Sequence, residues 1–382
     1  MRTFAPGRES RNRMRQSIRI AGDEIHLLMT AMVFAVGIAG GFLAQLIGAP
    51  LPMLLGSVTA VGAISIFGFK PGGRPPRIPF WLRNFFIPIV GLSIGAAFTP
   101  GVLTAMRDWW PSLLALLLYI PLSHYIGYRA FVLLGGLSRP TAYYGAVPGG
   151  LLVCIAMGEE NGADGPMLTA LQFLRLILTV MLVPLAFTLL SGTSVGTAAG
   201  AVIGQTEGAF TASEIFWQVA LGVAGYFGGR RLDLPAFMIT GPILASGLGH
   251  LTGLLQAAPP GWLIQVTQLV IGVSLGTRFV GMGGRTFFKA FWLALLNIGF
   301  TMILAIGAAL LLHGVVGERF EAVVLAFAPG GLAEMSLVAV SLQISVIYVS
   351  AHHVARILLS VTFARLFARF IPPEDDPGPA YR

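Results

Sequence analysis

The chain has 382 residues, 55% of them hydrophobic and only 10% charged, with 49 glycines. A soluble domain carries about 25% charged residues, so this composition cannot build a water-exposed surface and describes a polytopic membrane protein. The net charge of +8 reflects basic loops on one face of a bilayer rather than nucleic-acid binding, and the single Cys154 excludes an intramolecular disulfide and a cysteine-cluster metal site.

Six arginines precede the apolar run that begins near Leu27. That run, to Ile47, is too long for the apolar core of a signal peptide. The expectation is a basic cytoplasmic leader over 1–26 and a retained first span. Further apolar segments follow near 50–69, 82–105, 110–134, 140–158 and 165–190. After the small-residue linker 191–211 the pattern repeats near 212–229, 235–254, 262–281, 288–313, 321–341 and 345–370, and a polar tail closes the chain at 372–382.

The repetition extends to individual residues. "VGLSIGAAF" (90–98) matches "IGVSLGTRF" (271–279) at an offset of 181. The same offset carries Pro148-Gly149-Gly150 onto Pro329-Gly330-Gly331, and "ALQFLRLIL" (170–178) onto "AHHVARILL" (351–359), pairing Arg175 with Arg356 and Gln172 with His353. Pro50 and Gly56 match Pro235 and Gly241 at an offset of 185. The chain is therefore an internal duplication, with membrane repeats at 27–190 and 212–371.

Charge bears on how the repeats are related. If all six segments of each half cross, giving twelve crossing helices and parallel repeats, Arg230, Arg231, Arg278, Arg285 and Lys289 fall outside, against the positive-inside rule. If each Pro-Gly-Gly segment dips in and returns, each half crosses five times and the second half is inverted. Basic residues then agree throughout. Each arm of eight or nine residues rises about 13 Å, near the midplane. The favoured reading is ten crossing helices plus two re-entrant or broken Pro-Gly-Gly segments.

The unusual residues cluster at those breaks. Freed backbone groups in a membrane are tolerated only inside protein or along a watery cavity. The half-helix after each Gly-Gly offers unpaired N–H groups and a positive dipole end to an anion. Paired breaks in inverted repeats are a recurring design of secondary transporters. Arg175 and Arg356 lie about ten residues into the last span of each half, too deep to snorkel, where a guanidinium binds a carboxylate or phosphate-like solute or a buried structural partner. Glu334 has no acidic counterpart, because position 153 is Val. It could pair with Arg356, carry a coupling proton or coordinate a cation. His352 lies one helical turn from Arg356, which leaves a proton relay and a satisfied polar contact both open. The glycines of "GLSIGAAF" and "GVSLGTRF" lie inside apolar spans and are expected to serve close helix packing rather than phosphate binding. No nucleotide loop, nucleophile elbow or paired-histidine metal spacing is present, so no enzyme activity, cofactor or metal is expected.

The "VPGGLLVCIAMG" and "APGGLAEMSLVAV" segments, with "LQFLRLIL", "AHHVARILL" and the "LPMLLGSV" and "LPAFMITGP" openings, resemble the bacterial AbrB-like membrane protein family over nearly the whole chain. Its members often carry an ammonia monooxygenase label, and some are described as regulators of gene expression. The family looks related to antiporters and anion symporters with inverted repeats. The resemblance implies a multi-pass protein of the bacterial inner membrane with a cytoplasmic N-terminus. The first half departs from the fuller motif, having no Glu after its Pro-Gly-Gly and Gln in place of His.

Three functions are expected to compete. A secondary transporter of a small anionic solute, proton- or cation-coupled, is the favoured one. A membrane sensor or regulatory component is the alternative. A copper monooxygenase is disfavoured by the scarcity of clustered ligands. A homodimer is a common habit of such folds.

Overall fold

The computed structural model describes residues 17–20, 23–49, 51–70, 73–191, 211–234 and 236–370. Most of the leader, the linker, the tail, and Pro50 and Pro235 of the repeat comparison lie outside the described residues. A short antiparallel pairing of β1 (Ser17–Ile20) with β2 (Asp23–His26) precedes the membrane body, and everything after it is helical.

The first repeat runs α1 (Leu27–Leu46), α2 (Pro52–Ile66), α3 (Phe80–Gly95), α4 (Pro100–Ala105), α5 (Trp110–Leu133), α6 (Arg139–Ala146), α7 (Leu151–Glu160) and α8 (Gly165–Ser191). The second runs α9 (Ala212–Arg231), α10 (Phe237–Leu251), α11 (Gly261–Gly276), α12 (Gly284–Val316), α13 (Phe320–Phe327), α14 (Leu332–Ser341) and α15 (Val346–Ala368). Prolines open α2, α4, α5 and α6 within their first turn, where a missing N–H costs nothing and the fixed φ already suits a helix. Left-handed Gly317 closes α12.

Helix lengths repeat with the sequence: 20 and 20 residues for α1 and α9, 15 and 15 for α2 and α10, 16 and 16 for α3 and α11, 10 and 10 for α7 and α14. The apolar segments read from sequence coincide with these helices to within a few residues, with one break missed. The segment 82–105 turns by 84° between α3 and the helical run from Pro100, because Pro100 starts a new helix that Thr99 caps through the Val102 N–H at 3.3 Å.

By length and composition five described helices can cross a membrane, or six spans if the bent pair counts as one. The ten crossings expected from sequence are therefore not ten long helices. At 1.5 Å per residue α2, α3, α10 and α11 rise only about 22–24 Å, short of a hydrocarbon core about 30 Å thick. The long helices differ in their surroundings. Only 28% of the apolar window of α1 and of α12 is buried in protein, which leaves those helices to face lipid, whereas 78% is buried in α8. α8 is thus the central post of the first repeat.

The repeats interlock reciprocally. α3 of the first packs on α10 of the second, and α11 of the second packs on α2 of the first. Lipid tails are as apolar as leucine, so helices associate through close van der Waals fit at small residues. A Cβ on Gly91 would lie 2.6 Å from the Ile239 carbonyl oxygen, and one on Gly272 would lie 2.6 Å from that of Leu54. These two contacts map onto each other under the repeat offsets. Within each repeat, Gly40 meets Gly56 and Gly225 meets Gly241, backbone against backbone. The two repeats thus pack on each other through equivalent residues. The result is a panel of α1–α3 and α9–α11 beside a body of α5–α8 and α12–α15.

Candidate functional site

Each Pro-Gly-Gly segment turns back on itself. In the first repeat the Asp164 N–H, at the start of α8, donates to the Thr141 hydroxyl, at the start of α6, at 2.8 Å. Residues 141, in the first turn of α6, and 164, just before α8, bracket the Pro-Gly-Gly and α7, so the segment enters and leaves at one end. In the second repeat the Glu318 carboxylate, before α13, reaches the Ser345 side chain, before α15. That segment also returns to its origin.

The tips are braced by a duplicated set of hydrogen bonds. Ten residues into α8, a guanidinium NH of Arg175 donates to the Val147 carbonyl, while Gln172 Nε2 donates to the Tyr144 carbonyl at 2.6 Å. Ten residues into α15, Arg356 donates to the Ala328 and Gly330 carbonyls, and His353 Nε2 donates to the Leu325 carbonyl at 3.0 Å. Val147 corresponds to Ala328 and Tyr144 to Leu325 by the offset of 181. The two arginines therefore satisfy carbonyls that the helix break frees, which answers the cost of irregular backbone in a membrane.

The same bonds fix the state of His353. A carbonyl only accepts, so Nε2 carries the hydrogen; Arg356 only donates, so Nδ1, 2.9 Å from that guanidinium, offers its lone pair. His353 is held neutral and does the work of Gln172, which does not titrate. His352 points elsewhere: its Nδ1 meets the Tyr348 carbonyl and its Nε2 the Ser112 hydroxyl, both at 2.8 Å. Sequence spacing set His352 beside Arg356; the guanidinium swings toward the tip carbonyls instead, on the side that His353 faces. Glu334 is buried and lies against Gly331, but Arg356 spends its described hydrogen bonds on Ala328, Gly330 and His353 rather than on that carboxylate.

The two tips lie at the junction of α8 and α15. A Cβ on Gly149 would lie 3.0 Å from Ser360 Oγ, and one on Gly150 would run into Val361, both residues of α15. A Cβ on Gly331 would lie 3.0 Å from Leu176 Cδ1 of α8. Each tip thus rests on the last long helix of the other repeat, and the Arg175 and Arg356 guanidiniums are within electrostatic reach of each other. Four buried polar atoms around this junction have no hydrogen-bond partner among the described residues: Gln172 Oε1, Arg175 Nε, Arg356 Nε and Ser360 Oγ.

The sites Pro148, Gly149, Gly150, Gln172, Arg175, Pro329, Gly330, Gly331, Glu334, His353 and Arg356 are brought together, and His352 stands to one side. Sequence reasoning missed Ser360, for which the repeat gives no signal since its counterpart is Thr179. It also missed Tyr119, whose hydroxyl reaches the Phe327 carbonyl at 2.8 Å just before the second tip. No three of His, Cys, Asp and Glu converge among the described residues.

A helical membrane protein with two braced Pro-Gly-Gly breaks, each resting on the last long helix of the other repeat, is the class that fold and site define. The family described as Transition state regulatory protein AbrB matches residues 71–372, and the chain belongs to that family. It is similar to "Uncharacterized protein YhjN" of Bacillus subtilis (strain 168), 26% identical over 91% of this chain and 94% of the relative. It is also similar to a candidate regulator named AbrB from Escherichia coli (strain K12), 27% identical over 87% of this chain and 92% of the relative.

Proposed function

We propose that the chain is a secondary transporter of a small anionic solute, with its site at the junction of α8 and α15 where the two Pro-Gly-Gly tips rest. The observation that carries this reading is the pair of matched breaks set against each other's long helices, beside two buried guanidiniums and four unpartnered polar atoms. Discontinuous helices that meet between repeats, with positive half-helix ends and irregular backbone at one locus, are the design by which transporters hold a solute midway. The separation into a panel and a body suits alternate exposure of that locus, one bundle moving against the other.

The turned-back hairpins favour the inverted arrangement over parallel repeats, because a segment that returns leaves the basic loops of both halves on one face. By that rule the N-terminus and Arg365 and Arg369 at the other end are cytoplasmic, in a bacterial inner membrane. Glu334 and His352 remain the groups through which a proton or cation would couple. His353 does not, since a proton on Nδ1 would face the Arg356 guanidinium. The reading is of a carrier and not of an enzyme.

The test is a screen of small mono- and dicarboxylates by solid-supported membrane currents in proteoliposomes, on wild type, Ser360→Ala and Arg356→Lys. The reading expects a saturable current for at least one anion, weakened in both variants while the thermal midpoint of Ser360→Ala holds. Saturable binding with no current in any orientation supports the regulatory reading that the name of the Escherichia coli relative suggests. Neither binding nor current sinks both.

A further inference from the structure

A row of polar side chains runs from the rim of the second repeat to His352. Glu318 is half-buried, while Trp109, Ser112, Tyr348 and His352 beyond it are at most 1% exposed. The Trp109 ring stands edge-on to Tyr348 at 5.2 Å, and the Tyr348 ring lies 4.1 Å from that of His352. The Glu318 carboxylate is drawn toward Trp109 and lies within electrostatic reach of Tyr348, whose hydroxyl is drawn toward Ser112. Trp109 Nε1 and the Tyr348 hydroxyl complete no hydrogen bond among the described residues, so both donors are near an acceptor without being committed to it.

The duplication shows that the fold does not ask for this row. Under the offset of 181, Trp109, Ser112, Glu318, Tyr348 and His352 correspond to Ala290, Leu293, Leu137, Met167 and Leu171. Those counterparts belong to the apolar core or pack against it, where α12 lies on α8 as α5 lies on α15. Burying polar groups at a place that apolar ones fill equally well is costly, and ionisable residues so placed in a membrane mark proton or solute paths.

His352 is built to change charge. The Tyr348 carbonyl only accepts, so Nδ1, 2.8 Å away, carries a hydrogen. The Ser112 hydroxyl has one hydrogen and two acceptors at 2.8 Å, His352 Nε2 and the Trp109 carbonyl. With that hydrogen aimed at Nε2 the ring is neutral. Turned to the Trp109 carbonyl, it leaves the serine oxygen to accept from an Nε2–H, and the ring is an imidazolium. No heavy atom has to move. His353 lacks this freedom, because the Arg356 guanidinium already faces its lone pair.

Other charge around the ring is sparse or engaged. On its own helix His353 is adjacent, and Arg356 is spent on the second tip. α13 presents the Phe327 ring at 6.1 Å and has Glu321, paired with Arg319 at 3.3 Å. α5 adds Tyr119, whose hydroxyl lies against the Thr301 and Phe327 carbonyls. α14 has Glu334 alone, beside Gly331. The remaining neighbours, α3 and α7, carry Arg83 in the one and Cys154, Glu159 and Glu160 in the other.

We propose that His352 is a proton-binding site, loaded from the rim along Glu318, Tyr348 and Ser112. The transfer balances: Glu318 gives up a carboxyl proton, the Tyr348 and Ser112 hydroxyls each take one proton and pass one on, and Nε2 keeps the last. Glu318 is left a carboxylate and the ring an imidazolium. That this proton drives an anion rests on the transport reading: a charge on His352, one helical turn from Arg356, favours loading of proton and anion together.

The test is nitrogen-15 NMR of the full chain, histidine-labelled and in nanodiscs, as pH falls from about 8 to about 4. The His352 signal is the one lost in His352→Gln. It should pass to the imidazolium while His353 keeps its Nε2–H tautomer. Ser112→Ala removes the acceptor of the charged form and should lower the His352 midpoint by about one pH unit or more, the equivalent of one charge-assisted hydrogen bond; Ser112→Thr should restore it. Tyr348→Phe and Glu318→Gln should leave the midpoint nearly in place but slow exchange between the ring states at least about tenfold, a split that a structural role would not give. A His352 signal indifferent to pH, a midpoint unmoved by Ser112→Ala, or exchange as fast in Tyr348→Phe as in wild type overturns the proposal. Should Ser112→Ala fail to fold, the wild-type titration and the Tyr348→Phe exchange rate decide. Absence of any anion current in proteoliposomes defeats the transport reading alone and leaves this titration to stand or fall by itself.

Discussion

The two Pro-Gly-Gly tips have the same three residues and matched braces, yet they differ in backbone and in company. Gly150 caps α7 in the left-handed region at φ 68°, whereas Gly331 caps α14 at φ −82° in extended backbone. Cys154 Sγ leans on the Gly149 carbonyl at 3.3 Å, while Met335 covers Gly330. The first tip is braced by Gln172 and the second by His353, and only the second has a carboxylate, Glu334, at its side. What is duplicated (break, guanidinium brace, turned-back arms) is what the fold needs to hold irregular backbone in a membrane. What is not duplicated is free to serve function, and Glu334 and His352 fall in that class.

The sharpest way to break this division is to remove the braces. Arg356→Ala strands two carbonyls and the His353 lone pair, and Arg175→Ala strands one described carbonyl. With about 1.5–3 kcal/mol for each charge-assisted hydrogen bond, both variants should lose stability, Arg356→Ala the more, as read from chemical unfolding in detergent. Equal, negligible losses would mean that the arginines do not hold the tips.

Glycine substitution sharpens the contrast in backbone. Gly150→Ala puts a Cβ on a left-handed residue and into Val361, at a backbone cost of about 1–2 kcal/mol. Gly331→Ala meets no such backbone penalty, only the movable ends of Leu176 and Glu334. Thermal midpoints of the two variants should fall in that order, and the reverse order would mean that the tips are conformationally alike.

The brace at position 353 is expected to be exchangeable. His353→Gln should behave as Gln172 already does and cost well under 1 kcal/mol, whereas His353→Leu leaves the Leu325 carbonyl unpaired for about 1–3 kcal/mol. A transport pH profile altered by His353→Gln would return the residue to the proton path and contradict its assignment as a brace.

The smallest effect is at the rim. Burial raises the pKa of Glu318, with Ser345 and Trp109 opposing the shift. A carboxyl whose folded pKa lies above its unfolded value contributes stability below the unfolded pKa, and that contribution is lost as pH rises through the folded pKa. Wild type should therefore gain a little stability on acidification toward the carboxylate range, and Glu318→Gln should flatten that dependence in midpoints measured against pH.

Much of this was legible in the sequence because duplication writes the same constraint twice. The constant offset of 181 exposed both tips and both arginines, and apolar runs located the helices. The acceptors were not legible: Val147, Ala328 and Gly330 act through backbone carbonyls, which every residue has, so nothing in their side chains marks them. Nor could spacing choose between His352 and His353, since positions three and four residues before Arg356 both lie near its face. The bend before Pro100 was signalled by Thr99 and Pro100 but hidden within an unbroken apolar run. Glu334 showed as a charge out of place, and only its surroundings showed that Arg356 is otherwise engaged.

The most direct test of the central claim is counterflow of a labelled carboxylate in proteoliposomes that contain only this purified chain. The account predicts a saturable, transient accumulation of the anion, weakened by Arg356→Lys in protein that still unfolds cooperatively. Saturable binding without exchange across the bilayer would contradict it and leave a membrane receptor in place of a carrier.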